Sequence, residues 1–152
     1  MGIEMGFTEA VRTVLVQKYA TFSGRASRSE FWWFQLFFCI VAGAGGFVAG
    51  FMGAFSNRQG GSATVNTAFL IIGGLLILAI FLPLIALEVR RFHDRNISGW
   101  WYLALSILGL IPYVGYVTGL VIFVINLLPG TEGPNKFGAD PLRPEIRAEV
   151  FA

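Results

Sequence analysis

The sequence predicts an all-α membrane protein: a small polytopic helical bundle with an N-terminal amphipathic helix, two full spans and a third apolar segment broken by Pro and Gly. Three observations carry that class. Of 152 residues, 55% are hydrophobic and only 13% charged, whereas about a quarter of the residues of a soluble domain are charged. Mean hydropathy is +0.68. Two uncharged stretches, 31–57 and 68–87, are each long enough to cross a hydrocarbon core of about 30 Å. On this reading the chain divides into an interfacial helix (1–26), the transmembrane bundle (27–128) and a Gly- and Pro-rich polar tail (129–152).

Composition also narrows function. A formal charge of +2 is too small to suggest a nucleic-acid partner. Most Lys and Arg residues flank apolar segments, where they meet anionic headgroups. With one Cys and one His there is no internal disulfide and no Cys/His metal cage, and no cofactor is expected. Cys39 lies in an apolar run and is expected as a small buried side chain.

The N-terminal segment shows no secretory signal pattern, since the first long apolar run begins only at Phe31. Phe7, Val11, Val14, Leu15, Tyr19 and Phe22 recur at helical spacing, with Glu9, Arg12 and Thr13 largely elsewhere. The same stripe suits a helix lying in the membrane interface or one packed on its own bundle.

Ser27-Arg28-Ser29-Glu30 has the form of a capping box, Ser27 capping the third backbone N–H and Glu30 reaching back to the Ser27 amide. The first span should start there and run to Phe55. Trp32 and Trp33, beside Arg25 and Arg28, are expected as interface anchors, and Trp100 and Trp101 play the same part further on. Within the first span Ala42, Gly46, Gly50 and Ala54 recur every fourth residue, a nearly side-chain-free face that another backbone can approach closely. Packing against the protein's own second helix is the preferred use of this face, with homodimerisation the other.

Residues 56–66 form a short Gly-, Ser- and Asn-containing connection with Arg58 as its only charge. In the second span, Ala68–Leu87, Pro83 frees the Ala79 carbonyl and predicts a kink. The apolar run Trp100–Leu128 fits either one tilted helix or a hairpin turning at Ile111-Pro112-Tyr113-Val114-Gly115, with arms too short to cross fully. Charge favours the hairpin. With the N-terminus cytoplasmic, a single helix leaves Arg58, Lys136, Arg143 and Arg147 outside, whereas a hairpin leaves only Arg58 and makes the C-terminus cytoplasmic too.

Three stretches resemble a known family when taken together: Tyr19-Ala20-Thr21-Phe22-Ser23-Gly24-Arg25-Ala26-Ser27-Arg28-Ser29-Glu30-Phe31-Trp32; Arg90-Arg91-Phe92-His93-Asp94 with Ser98-Gly99-Trp100-Trp101; and the tail from Pro129 to Pro141. They are similar to the YhaH-type bacterial inner-membrane proteins, a domain-of-unknown-function family (DUF805). The resemblance implies a small polytopic protein of the bacterial inner membrane, with no assigned catalytic residue to inherit.

If the tail is cytoplasmic, the polar residues of all three motifs share one membrane face: Arg25, Arg28 and Glu30; Glu88, Arg90, Arg91, His93 and Asp94; Asn135, Lys136 and Asp140. Glu88 and Arg91, and Arg91 and Asp94, are three apart and suited to local pairing. The first reading is therefore an internal ion-pair network. The second is a site for an anionic lipid headgroup or another phosphate-bearing ligand, which Arg forks suit. An enzyme using His93 and Asp94 ranks third, because neighbours on a helix point about 100° apart and adjacency alone makes no dyad. The expected activity is non-enzymatic: an accessory or scaffold protein whose partners are the lipid bilayer, an anionic lipid, and another membrane protein or a second copy.

Overall fold

The computed structural model describes residues 5–58 and 63–143 and is helical throughout apart from its turns. Five α-helices follow in order: α1 (Phe7–Arg12), continued by a π-helical turn (Thr13–Gln17), α2 (Arg28–Arg58), α3 (Ala63–Asp94), α4 (Gly99–Leu108) and α5 (Val114–Leu127). The connection expected at 56–66 is shorter than predicted, and residues 59–62 of it lie outside the described residues.

α2 and α3 are the two helices long and apolar enough to span a membrane, over Arg28–Phe55 and Leu70–Asp94. At 1.5 Å per residue their 31 and 32 residues measure about 46 and 48 Å. α2 starts where its cap dictates: Ser27 Oγ accepts the Glu30 amide at 3.2 Å. The other half of the expected capping box does not form. Glu30 sends its carboxylate to Arg90 instead, because a buried guanidinium is a stronger partner than an amide.

The N-terminal segment packs on its own bundle. Ala10, Thr13 and Val14 are buried, and Phe7 meets Trp33 edge-on at 5.9 Å. The helix is also shorter than the apolar stripe suggested, so Tyr19 and Phe22 fall in the following loop. Tyr19 has a specific task there. Pro83 sits inside α3 and cannot donate to the Ala79 carbonyl, and the Tyr19 hydroxyl supplies that hydrogen bond at 2.5 Å. The core built around these contacts is Val14, Ala26, Phe31, Phe34 and Leu87, all toward one end of the molecule.

The run Trp100–Leu128 is a hairpin. α4 and α5 pack on each other across the turn at 109–113, and a Cβ at Gly115 would come 2.6 Å from the Gly109 carbonyl oxygen, so only glycine permits this approach. The hairpin is tied to the bundle by Phe92–Tyr102 and by Trp32, whose ring meets Phe123 edge-on at 6.0 Å. Trp32 is thus a packing residue between α2 and α5 more than an interface anchor, whereas Trp33, Trp100 and Trp101 are exposed.

Two expectations fail along α2. Cys39 is exposed on the helix surface. The Ala42, Gly46, Gly50, Ala54 face is not covered by α3 either: residues 42–50 are exposed, and a Cβ added at Gly43, Gly45, Gly46, Gly50 or Gly53 would meet no neighbouring element within 4 Å. The two long helices meet near the buried core, and along 42–51 and 70–79 the described side chains are mostly exposed.

Candidate functional site

The polar residues of the three motifs converge at one end of the bundle, around the last turn of α3. Arg90 follows from a helical position facing α2, and its Nη1 lies 2.5 Å from Glu30 Oε1, both side chains essentially inaccessible. One residue on, Arg91 faces α5: its Nη1 is 2.5 Å from Asp94 Oδ2, and Nη2 donates to the Asn126 carbonyl at 3.2 Å and to that of Leu128. Arg25 completes the triad from the loop before α2. Its Nε donates to Asp94 Oδ1 at 2.9 Å, Nη1 to the Gly133 carbonyl at 2.6 Å and Nη2 to that of Thr131 at 2.5 Å.

Asp94 is therefore the hub, one carboxylate shared by two buried arginines from different parts of the chain. Its backbone carbonyl also accepts the Thr131 amide at 2.9 Å. The tail comes so close that a Cβ at Gly130 would lie 2.1 Å from Asp94 Oδ2. Asn135 adds a second clasp, donating to the His93 carbonyl at 2.9 Å and to Thr131 Oγ1 at 3.0 Å. Asp140 works inside the tail, accepting the amides of Gly133 at 3.1 Å and Leu142 at 2.9 Å.

This arrangement brings together Arg25, Glu30, Arg90, Arg91, Asp94 and Asn135, with His93 at its edge. Arg28 stays exposed and outside the ion pairs. Of the two local pairs expected, Arg91 with Asp94 forms, while Glu88 turns to Asn126, whose Nδ2 donates to Glu88 Oε2 at 2.9 Å. His93 and Asp94 make no dyad. His93 Nδ1 lies 3.1 Å from the Gly24 carbonyl and its ring stacks on Phe137, centroids 3.8 Å apart, with Lys136 over the far ring.

Chemically, the site is a lock. Both oxygens of Asp94 and all three guanidinium nitrogens of Arg25 have hydrogen-bond partners within the protein. Arg90 Nε and Nη2 and Arg91 Nε are buried without a partner among the described residues. Incomplete satisfaction of that kind argues that the pairs fix geometry more than they add stability. Among the described residues no group of three or more His, Cys, Asp or Glu could hold a metal ion.

Asn126 and Thr131 were not singled out from the sequence. Asn126 had a signal: it is the only amide in the apolar run Trp100–Leu128, and an amide there needs a polar partner. Thr131 had none beyond its place in the tail motif.

Comparison with known proteins identifies the family and an inner-membrane setting for its named relatives. Residues 19–139 match the family described as protein of unknown function (DUF805). The inner membrane protein YhaH of Escherichia coli (strain K12) is 37% identical over 129 residues, covering 84% of this chain and 92% of that protein. The inner membrane protein YhaI of the same strain is 34% identical over 134 residues, covering 84% and 91%. The uncharacterized protein YiiR of that strain is 26% identical over 148 residues, covering 85% and 91%. No solved structure matches the chain.

Proposed function

This chain belongs to the DUF805 family, and on that premise we propose that it is a non-enzymatic accessory or scaffold protein which holds another transmembrane helix against the Gly/Ala face of α2. It is an integral membrane protein whose named relatives are inner-membrane proteins. The observation that supports the proposal is the open face itself: Ala42, Gly46, Gly50 and Ala54 lie on a long apolar helix with no covering element among the described residues. In lipid, where apolar side chains gain nothing by leaving hydrocarbon, small residues associate helices by letting backbones pack closely. The polar end, occupied by its own lock, leaves this face as the best-suited docking surface.

The same reading puts both the N-terminal segment and the tail in the cytoplasm. In that orientation Arg12, Lys18, Arg25, Arg28, Arg90, Arg91, Arg95, Lys136 and Arg143 share the cytoplasmic side and Arg58 the other, an asymmetry the positive-inside rule favours.

The test is extraction in a gentle detergent followed by mass spectrometry. A stoichiometric membrane-protein companion or a second copy is expected, and Gly46→Leu with Gly50→Leu should release it. A strictly monomeric particle without a companion would overturn the proposal.

A second reading, an anionic lipid at the polar end, keeps one specific support. A cavity of about 200 Å³ at the seam between tail and bundle is lined by Arg28 and Arg143, neither of them in an ion pair among the described residues. Native mass spectrometry should then show a retained phospholipid that Arg28→Ala with Arg143→Ala releases; unchanged retention removes this reading.

A further inference from the structure

We propose that the α4–α5 hairpin thins the bilayer beside it, so that its tip at Tyr113 and Tyr116 meets the water and headgroups of the opposite leaflet rather than hydrocarbon. Three independent observations lead there. The first is length. Both arms leave the same plane, since Asp94 bonds Thr131 and Arg91 bonds Leu128. With 10 and 14 residues they reach only about 15 and 21 Å from it, against a hydrocarbon core of about 30 Å and companion helices more than twice as long.

The second is the polarity of the tip. α5 begins at Val114 without a side-chain cap; the Gly115 amide donates to the Ile111 carbonyl at 3.1 Å, and the neighbouring first-turn N–H groups depend on the surroundings for acceptors. Tyr113, at φ +67° just before α5, and Tyr116, in the first turn of α5, are 84% and 82% exposed, and each carries a hydroxyl. Backbone and hydroxyl groups facing lipid at mid-bilayer would have no hydrogen-bond partner.

The third is the aromatic pattern. Trp and Tyr concentrate at the two membrane–water boundaries. The hairpin carries exposed Trp100 and Trp101 at its base and Tyr113 and Tyr116 at its tip, with Leu103, Ile107, Leu110, Val117, Leu120 and Val124 exposed between or beside them. It thus has two girdles of its own, set for a bilayer roughly two thirds as thick as usual. A short hydrophobic element beside lipid is accommodated by thinning of the bilayer, and here two long helices fix the protein in place while the hairpin sets the local thickness.

The experiment uses the full chain in a Cys39→Ala background, in bacterial membrane vesicles of both orientations. A membrane-impermeant maleimide should label Tyr116→Cys from the side opposite to that which labels Arg143→Cys. Its rate should exceed that of Leu76→Cys, in the middle of α3, by an order of magnitude. Labelling from the same side as Arg143→Cys would mean that the hairpin lies along the near interface, and no labelling from either side would mean that hydrocarbon or a second copy covers the tip; both overturn the proposal. Should the cysteine variants fail to fold, hydrogen exchange of the unmodified protein in phosphatidylcholine nanodiscs decides: amides 113–117 should exchange far faster than amides 72–80, and equal protection overturns the inference.

Discussion

The two ends of this molecule are held by different physics. Around Asp94 the chain crosses itself repeatedly: a pre-helix loop, the end of α3, the end of α5 and the tail meet in buried ion pairs and carbonyl bonds. In the far halves of α2 and α3 the described side chains face outward almost without exception. The difference teaches where the protein's own fold is specified. The polar end fixes which segments meet, whereas the exposed described side chains of the far halves depend on a surrounding lipid phase or a partner for their packing. An exposed Phe47–Phe51–Phe55 ladder, rings stacked at 6.4 and 6.5 Å, lies alongside the open small-residue face and gives it one aromatic wall.

The largest effect should come from breaking the hub. Asp94→Ala leaves Arg25 and Arg91 buried without their shared carboxylate, and removing one partner of a buried pair costs about 3–5 kcal/mol. Thermal unfolding in detergent should fall accordingly, and limited proteolysis should cut within 129–143, since Thr131 and Gly133 are held by Arg25. A variant whose tail stays protected would show that the two ends do not differ in the way described.

A smaller loss follows from Gly130→Ala. The new methyl would sit 2.1 Å from Asp94 Oδ2, so either the tail or the carboxylate must move, an overpacking cost of about 1–3 kcal/mol. Because the clash falls on the oxygen that pairs with Arg91, this variant should open the tail partway toward the Asp94→Ala state. Unchanged proteolysis would mean that the tail's approach to Asp94 is not close.

Much of this was legible in the sequence, and for identifiable reasons. Long uncharged runs fix the spans because hydrocarbon tolerates no alternative, and the balance of Lys and Arg chose the hairpin over the single helix. The convergence of Arg25, Asp94 and Asn135 was legible only as a condition on the tail's direction. Which carboxylate each arginine takes was not legible. Local spacing offered Glu88 to Arg91, but Asn126 arrives from 38 residues away, and no i, i+3 rule reports on that. Glu30 went astray similarly: a capping box is a local preference, and a buried arginine on the next helix outcompetes it. The Gly/Ala face was legible as a packing face, yet small-residue spacing carries no information on whose backbone approaches.

The smallest effect on the protomer is therefore the most informative. Gly46→Leu places a large side chain where no neighbouring element lies within 4 Å, and it replaces a poor helix former by a good one. Protomer stability in detergent should change by less than about 0.5 kcal/mol or rise slightly, because the helix-propensity gain is at most about 1 kcal/mol and no contact is lost. Protection of the tail should be untouched, since residue 46 lies some 24 Å along α2 from Glu30 at 1.5 Å per residue. Loss of a co-purifying partner at unchanged protomer stability would separate assembly from folding in one substitution, and a fall in stability comparable to that of Asp94→Ala would mean that this face is part of the protomer's own core.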